Sequence, residues 1–211
     1  MNPKKQFYEN QAKSLIEKLK LRKMEGYYCP DSSSAKEKIL ELVGKPGKSV
    51  GYGGSMTIDD MEVKSDIVAA GHDLIVRENY QTEEEVRECK ARLINADSFL
   101  TSTNAITLDG ELINIDGRGN RVSFLIYGPE QVIVVAGMNK VVPNVEDGIR
   151  RVRNMASPPN TVRLNRETPC SVTGRCADCI TNSICAQIVV TRLSMIPGRI
   201  KVILVGEELG Y

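Results

Sequence analysis

Apolar positions along this chain follow two rhythms. Near the N-terminus Phe7, Leu15 and Leu19 fall close to one helical face with Ile16 beside it, which predicts an amphipathic helix over about residues 4–24. Ser34 and Glu37 stand at capping-box spacing, the stripe Ala35, Ile39, Leu42 and Val43 follows, and Gly44 ends a second helix. From there, short apolar runs at 49–52, 73–76, 98–101, 131–136, 186–191 and 200–205 read as strands. Between them, helices are expected at 57–70, 83–95 (capped by Thr82 and Glu85), 120–127 and 145–156 (capped by Asn144). This is βαβ rhythm, and parallel strands joined by right-handed crossovers are its economical solution. The segments 105–108 and 111–115 flank Asp109-Gly110, a two-residue hairpin turn signal, so the sheet is expected to be mixed and mostly parallel. The fold class is α/β, with helices flanking that sheet.

Length and composition narrow the picture. The 211 residues suit one α/β domain, read as residues 1–211 with an N-terminal helical segment at 1–25 and a Cys-rich insertion at 165–186. The Pro-rich run 157–160 hints at a boundary before that insertion. Lys and Arg number 28 against 27 Asp and Glu, so the chain lacks the overall basic footprint of a nucleic-acid binder. With no Trp and the single His72, stacking platforms, His-rich metal sites and a His general base have almost no raw material. No apolar run approaches the roughly eighteen residues that cross a bilayer, so no membrane span is expected. The N-terminal segment carries Glu9, Glu17 and Glu25 and no apolar core, and a cytoplasmic location is the expectation.

Cys170, Cys176, Cys179 and Cys185 form the pattern C-x5-C-x2-C-x5-C. Pro169, Thr173-Gly174, Asp178 and Asn182 between and beside them are loop formers that let four thiolates converge, so a tetrathiolate metal site is the sharp reading. Disulfides or a redox-active dithiol are the alternative, disfavoured where thiols are kept reduced. Zinc sites usually show two close Cys pairs, and only one is present, which tilts the reading toward a [4Fe-4S] cluster with Zn as the alternative. Cys89 lies on the apolar face of a helix and Cys29 precedes Pro30 without a sequence partner, so neither is a candidate ligand.

Four loops carry the remaining chemistry. Gly53, Gly54, Ser55 and Thr57 sit between a strand and a helix, where backbone N–H groups hold anions; the bland alternative is a tight turn of small residues. Ser102 and Asn104 follow the strand at 98–101, at the carboxyl edge where open α/β sheets bind ligands. Asp116, Asn120 and Arg121 lie in a second polar loop; Asp116 and Arg121 are either an acid/base or carboxylate clamp or a turn-fixing ion pair. Asn139 and Lys140 leave the most apolar strand, with Lys140 an anion ligand or a nucleophile.

The blocks GGSMT, LTSTNAITLDGELINIDGRGNRV, GMNKVV, RRVRNMASPPNTVRL and TPCSVTGRCADC together resemble the lactate-utilisation (LUD) domain proteins, from about Lys36 to the C-terminus. The resemblance implies a fold like that of ribose-5-phosphate isomerase, glucosamine-6-phosphate deaminase and the CoA transferases. It also implies a component of iron-sulfur-dependent oxidation of L-lactate to pyruvate, with a redox partner or other lactate-utilisation subunits, or a homodimer, as partners. The ferredoxin-type C-x2-C-x2-C-x3-C runs of that system's large member are absent, so the chain looks like a stand-alone branch. The expected function is redox-linked binding of a small carboxylate or phosphorylated metabolite beside the cysteine site, with Asp116 and Lys140 as catalytic candidates. The competing expectations are a redox-free isomerase, hydrolase or acyl/CoA transferase with structural zinc, and a non-catalytic ligand-binding subunit.

Overall fold

The computed structural model describes residues 2–211. The chain runs through α1 (Pro3–Leu21), β1 (Glu25–Cys29), α2 (Ser32–Val43), β2 (Ser49–Tyr52), α3 (Met56–Asp60), α4 (Val63–Ala69), β3 (Asp73–Leu74) and α5 (Glu83–Ile94). It continues through β4 (Ser98–Ser102), β5 (Ala105–Thr107), β6 (Leu112–Asp116), α6 (Asn120–Ile126), β7 (Gln131–Gly137), β8 (Val141–Val142), α7 (Val145–Arg151), α8 (Ser157–Arg163), α9 (Pro169–Thr173), β9 (Gln187–Thr191) and β10 (Ile200–Val205).

Six strands form one sheet in the order β1-β10-β7-β4-β2-β3, every neighbouring pair parallel. The central strands read as continuous apolar runs because both faces are covered. Val132 and Val134 of β7, with Phe99 of β4 and Val202 and Leu204 of β10, meet Leu15 and Leu19 of α1, Leu93 of α5 and Leu125 of α6. The alternate residues Ile133, Val135, Leu100, Ile203 and Val205 meet Ile39 and Val43 of α2, Ile58 of α3 and Ile67 of α4. This is the helix-flanked α/β fold the periodicity implied.

Several details differ from the pattern reading. The hairpin at Asp109-Gly110 does not join the main sheet. Its strands β5 and β6 build a second sheet, β8-β5-β6-β9, which carries its own small core of Ala105, Ile113, Ile115, Val142, Val152 and Ala156. That sheet is the mixed one, with β5 antiparallel to β6 and parallel to β8. The turn signal specified the hairpin but could not specify which sheet would bury it. The expected N-terminal helix stops at Leu21, and Glu25–Cys29 forms the edge strand β1 on β10. The helix expected at 57–70 breaks at Glu62, which adopts a left-handed conformation. The Pro-rich run is not a boundary: a π-helical stretch, Val152–Ala156, leads straight from α7 into α8, and Pro158 and Pro159 occupy the opening turn of α8. A proline there removes N–H groups that an opening turn leaves unpaired anyway.

Because β2, β4, β7 and β10 are parallel, Tyr52, Ser102, Gly137 and Val205 all end at one edge of the sheet. The loops that follow therefore gather there, as open α/β sheets require.

Candidate functional site

A cavity of about 510 Å³ lies at this edge. Gly54, Ser55 and Thr57 enter it from β2 and α3, Ser102 and Asn104 from the end of β4, Asp116, Asn120 and Arg121 from the loop joining β6 to α6, and Lys140 from the turn after β7. Nine of the eleven residues singled out in the four loops thus line one cavity, although they are spread over more than eighty positions of sequence. Gly53 and Asn139 are not part of its lining. A Cβ on Gly53 would lie 2.7 Å from Arg121 Cγ, so only a glycine lets the arginine pack there. Asn139 holds the C-terminal segment, its Oδ1 accepting from the Leu209 N–H at 3.2 Å.

Arg121 is the hub of the site. Its Nη1 donates to Ser102 O at 3.1 Å and Asn114 Oδ1 at 2.6 Å, its Nη2 to Asn104 Oδ1 at 3.0 Å, and its Nε lies 3.4 Å from Asp116 Oδ2. Asn104 Oδ1 also accepts from Ile115 N, and Asp116 Oδ1 from Gly119 N, so the guanidinium ties the segment at 102–104 to that at 114–116. Of the two readings of Asp116 and Arg121, the contacts have the form of the turn-fixing pair. Burial pushes the Arg121 pKa down and the Asp116 charge opposes this. Arg151, also buried, donates to the carbonyls of Asn104, Tyr211 and Asn139, pinning the end of the chain to the same edge.

Lys140 is 4% exposed. Its Nζ donates to Thr57 Oγ1 at 2.7 Å and Ser102 Oγ at 3.0 Å, and no carboxylate pairs with it among the described residues. Burial, then the positive charges of Arg151 and Arg121, push its pKa down to about 7, against a smaller pull from Asp60. A buried ammonium without a counter-charge is costly, and the amine responds by giving up its proton near neutrality.

Further charged lining was not anticipated: Arg77, Arg118, Arg163, Arg166 and Lys64 also border the cavity, with the carboxylates Asp59 and Glu78. The buried Nε of Arg77 has no hydrogen-bond partner among the described residues. Arg163 lay inside one of the sequence blocks quoted above, but nothing in local spacing points an exposed helical arginine at a pocket.

The cysteine segment returns to this same edge. Cys185 donates to Ser157 Oγ at 3.3 Å, and Ser157 and Ile184 both line the cavity. Cys170 is buried between Thr161 and Thr168, Cys176 Sγ accepts from Arg153 Nε at 3.3 Å, and Arg153 also pairs with Asp178. Burial raises the Cys185 pKa; Ser157 opposes this, and the nearby Cys176, Cys170 and Cys179 raise it further. The four thiols therefore share one electrostatic neighbourhood, and their donor chemistry suits a soft metal. All six cysteines are free, and among the described residues no three His, Cys, Asp or Glu side chains form a metal-holding group.

The architecture and cavity define an α/β protein with a cationic site at the carboxyl edge of a parallel sheet. Residues 12–205 match the LUD domain model, and the chain belongs to the LUD domain family. Over 95% of this chain and 98% of the other, it is similar in fold to a DUF162 family protein from Deinococcus radiodurans, with a TM-score of 0.53 and 16% identity. Ribose 5-phosphate isomerase from Plasmodium falciparum is a more distant match, with a TM-score of 0.35 and 19% identity over 54% of this chain and 53% of that one. The eIF2B beta subunit from Chaetomium thermophilum matches with a TM-score of 0.35 and 16% identity over 55% and 43%. No curated protein matches. No helix among the described residues is long and apolar enough to cross a membrane.

Proposed function

We propose that this LUD domain protein binds a small anionic metabolite, a carboxylate or a phosphate ester, in the strand-end cavity, with the four-cysteine segment beside it as a redox or metal centre. The observation that carries the reading is Lys140, buried between two hydroxyls without a counter-charge of its own, in a cavity that five arginines also line. An anion placed there supplies the missing charge and raises the proton affinity of the amine. L-Lactate and pyruvate, the pair implied by the sequence resemblance, are both small carboxylates of this kind. The cysteine half of the reading rests on spacing and on the shared surroundings of Cys185, and takes [4Fe-4S] or zinc on Cys170, Cys176, Cys179 and Cys185.

A redox-free acid/base enzyme is the second reading. It is favoured by one observation, the position of the Lys140 pKa near neutrality, which suits proton transfer. Asp116 suits that role less, because Arg121 and Gly119 already occupy it.

Two measurements test the proposal. Thermal-shift screening with inorganic phosphate, L-lactate and pyruvate is expected to stabilise the wild type and to lose that effect in Lys140→Met; equal shifts in both proteins would remove the pocket. Metal analysis and visible absorption of anaerobically purified protein are expected to give one centre per chain, lost in Cys176→Ser. A colourless, metal-free protein would remove the cluster, and a zinc-containing one would move the reading to the redox-free enzyme.

A further inference from the structure

We infer that Lys140 is a covalent catalyst: its amine forms an imine with a carbonyl compound that carries an anionic group, such as a 2-oxo acid or an aldehyde phosphate. This deepens the reading of the cavity as an anion pocket and rests on it.

The geometry at Nζ carries the argument. Thr57 Oγ1 accepts from Lys140 and donates to Leu209 O at 3.4 Å; Ser102 Oγ accepts from Lys140 and has Thr103 O at 3.1 Å and Thr57 Oγ1 at 3.4 Å as acceptors for its own O–H. Each hydroxyl proton thus has an acceptor other than the amine. No third acceptor lies within hydrogen-bonding distance of Nζ among the described residues. A neutral amine has two N–H bonds and one lone pair, so the two acceptors satisfy it completely and leave the lone pair unengaged. An ammonium has no protein acceptor for its third N–H and carries its charge beside Arg121 and Arg151. The surroundings thus favour the nucleophilic form, as desolvation beside other cations does for imine-forming lysines in general.

Lys140 borders the cavity of about 510 Å³, which gives a carbonyl compound its approach. Gly210 closes the other side of the amine, where a Cβ would lie 2.7 Å from Thr57 Oγ1 and 3.4 Å from Lys140 Nζ. The anionic group has cationic partners in Arg77, Arg163 and Arg166, which line the same cavity. The step is balanced without an oxidant. The lone pair attacks the carbonyl carbon and forms the C–N bond, and the carbonyl π electrons move to oxygen, which takes up a proton. That proton is matched by one lost from nitrogen, giving the carbinolamine; the hydroxyl then takes up a second proton and leaves as water as nitrogen loses its remaining proton, and C=N remains. The hydroxyls of Thr57 and Ser102 stand where these protons are exchanged.

The test uses the full chain with pyruvate or glyceraldehyde 3-phosphate, sodium cyanoborohydride as hydride donor to trap the imine, and peptide mapping by mass spectrometry. The expected result is one predominant label, on Lys140, with a trapping rate that rises to a plateau above about pH 7. The label should fall severalfold in Thr57→Val and be competed by inorganic phosphate. Preference for pyruvate or for the aldehyde phosphate identifies the source of the carbonyl. Labelling spread over surface lysines, or unchanged in total in Lys140→Arg, overturns the proposal. Phosphate and L-lactate cannot form imines, so their thermal shifts report on the pocket alone. Stabilisation by them without trapping at Lys140 sinks the imine and keeps the anion pocket, whereas neither shift nor trapping sinks both.

Discussion

Lys140 Nζ and Thr57 Oγ1 are 2.7 Å apart across a separation of 83 residues, one from the turn after β7 and the other from the first turn of α3. The contact exists because β7 and β2 flank β4 in the sheet and both end at the same edge. It holds a titratable group in a dry position, and a distinct pH dependence follows.

The pKa of Lys140 is about 7 in the fold against an ordinary value of 10.5, so between these values the unfolded chain binds the additional proton. Stability contributed at this position therefore rises with pH across that window and is flat below it. Relative to Lys140→Met, the wild type is expected to gain about 3 kcal/mol between pH 6 and pH 9.5. Urea denaturation of both proteins at the two pH values checks this, and a constant difference would contradict it. Phosphate binding at pH 7 should also be accompanied by uptake of about half a proton, read as buffer-dependent heat in calorimetry.

Arg121 joins Ser102, Asn104, Asn114 and Asp116 through a planar fork that lysine cannot reproduce. Arg121→Lys is expected to cost on the order of 3 kcal/mol in chemical denaturation, because buried acceptors lose their donors. A variant as stable as the wild type would mean that the two segments hold together without the hub.

Gly210 has φ +58 and no room for a side chain against Thr57. Gly210→Ala is expected to weaken stabilisation by phosphate at least severalfold while lowering unfolding stability by only about 1–2 kcal/mol. Unaltered phosphate affinity in calorimetry would show that the terminal segment does not border the occupied part of the cavity.

Away from the site, Asp97 accepts from Lys48 Nζ at 2.6 Å, Ser49 Oγ at 2.7 Å and Ser49 N at 2.8 Å, linking the start of β2 to that of β4. The bond from Lys48 first, then those from Ser49, hold its pKa well below the ordinary 3.8. Its stabilisation is complete above about pH 4 and disappears as pH falls through the folded pKa. Asp97→Asn should cost about 1–2 kcal/mol at pH 7 and progressively less in acid. A loss independent of pH would assign the effect to packing.

Local order was readable wherever a short-range rule decides it. The capping pair Thr82 and Glu85 opens α5 as expected, and the alternation along β7 and β10 feeds two cores from adjacent residues. The glycine and hydroxyl loops after β2 and β4 were legible as a ligand edge because strand polarity in a parallel sheet fixes which ends coincide. The edge strand β1 was not legible, since a five-residue run with two tyrosines beside a strong helix has no pattern of its own until β10 offers it a partner.

The sequence by itself determined the α/β rhythm, the polar loops and the presence of four close cysteines, because each depends on residues within a few turns of one another. Tertiary structure alone decided three further matters. The hairpin went to a second sheet, since burial of Ile113 and Ile115 needed Val152 and Ala156 from a distant helix. The arginines of α8 and the loop after it came to line the same cavity as Lys140, since α8 follows the π-helical stretch whose Val152 and Ala156 also border it. The proton affinity of Lys140 fell, since desolvation and the fields of Arg121 and Arg151 act through space and leave no trace in the order of residues.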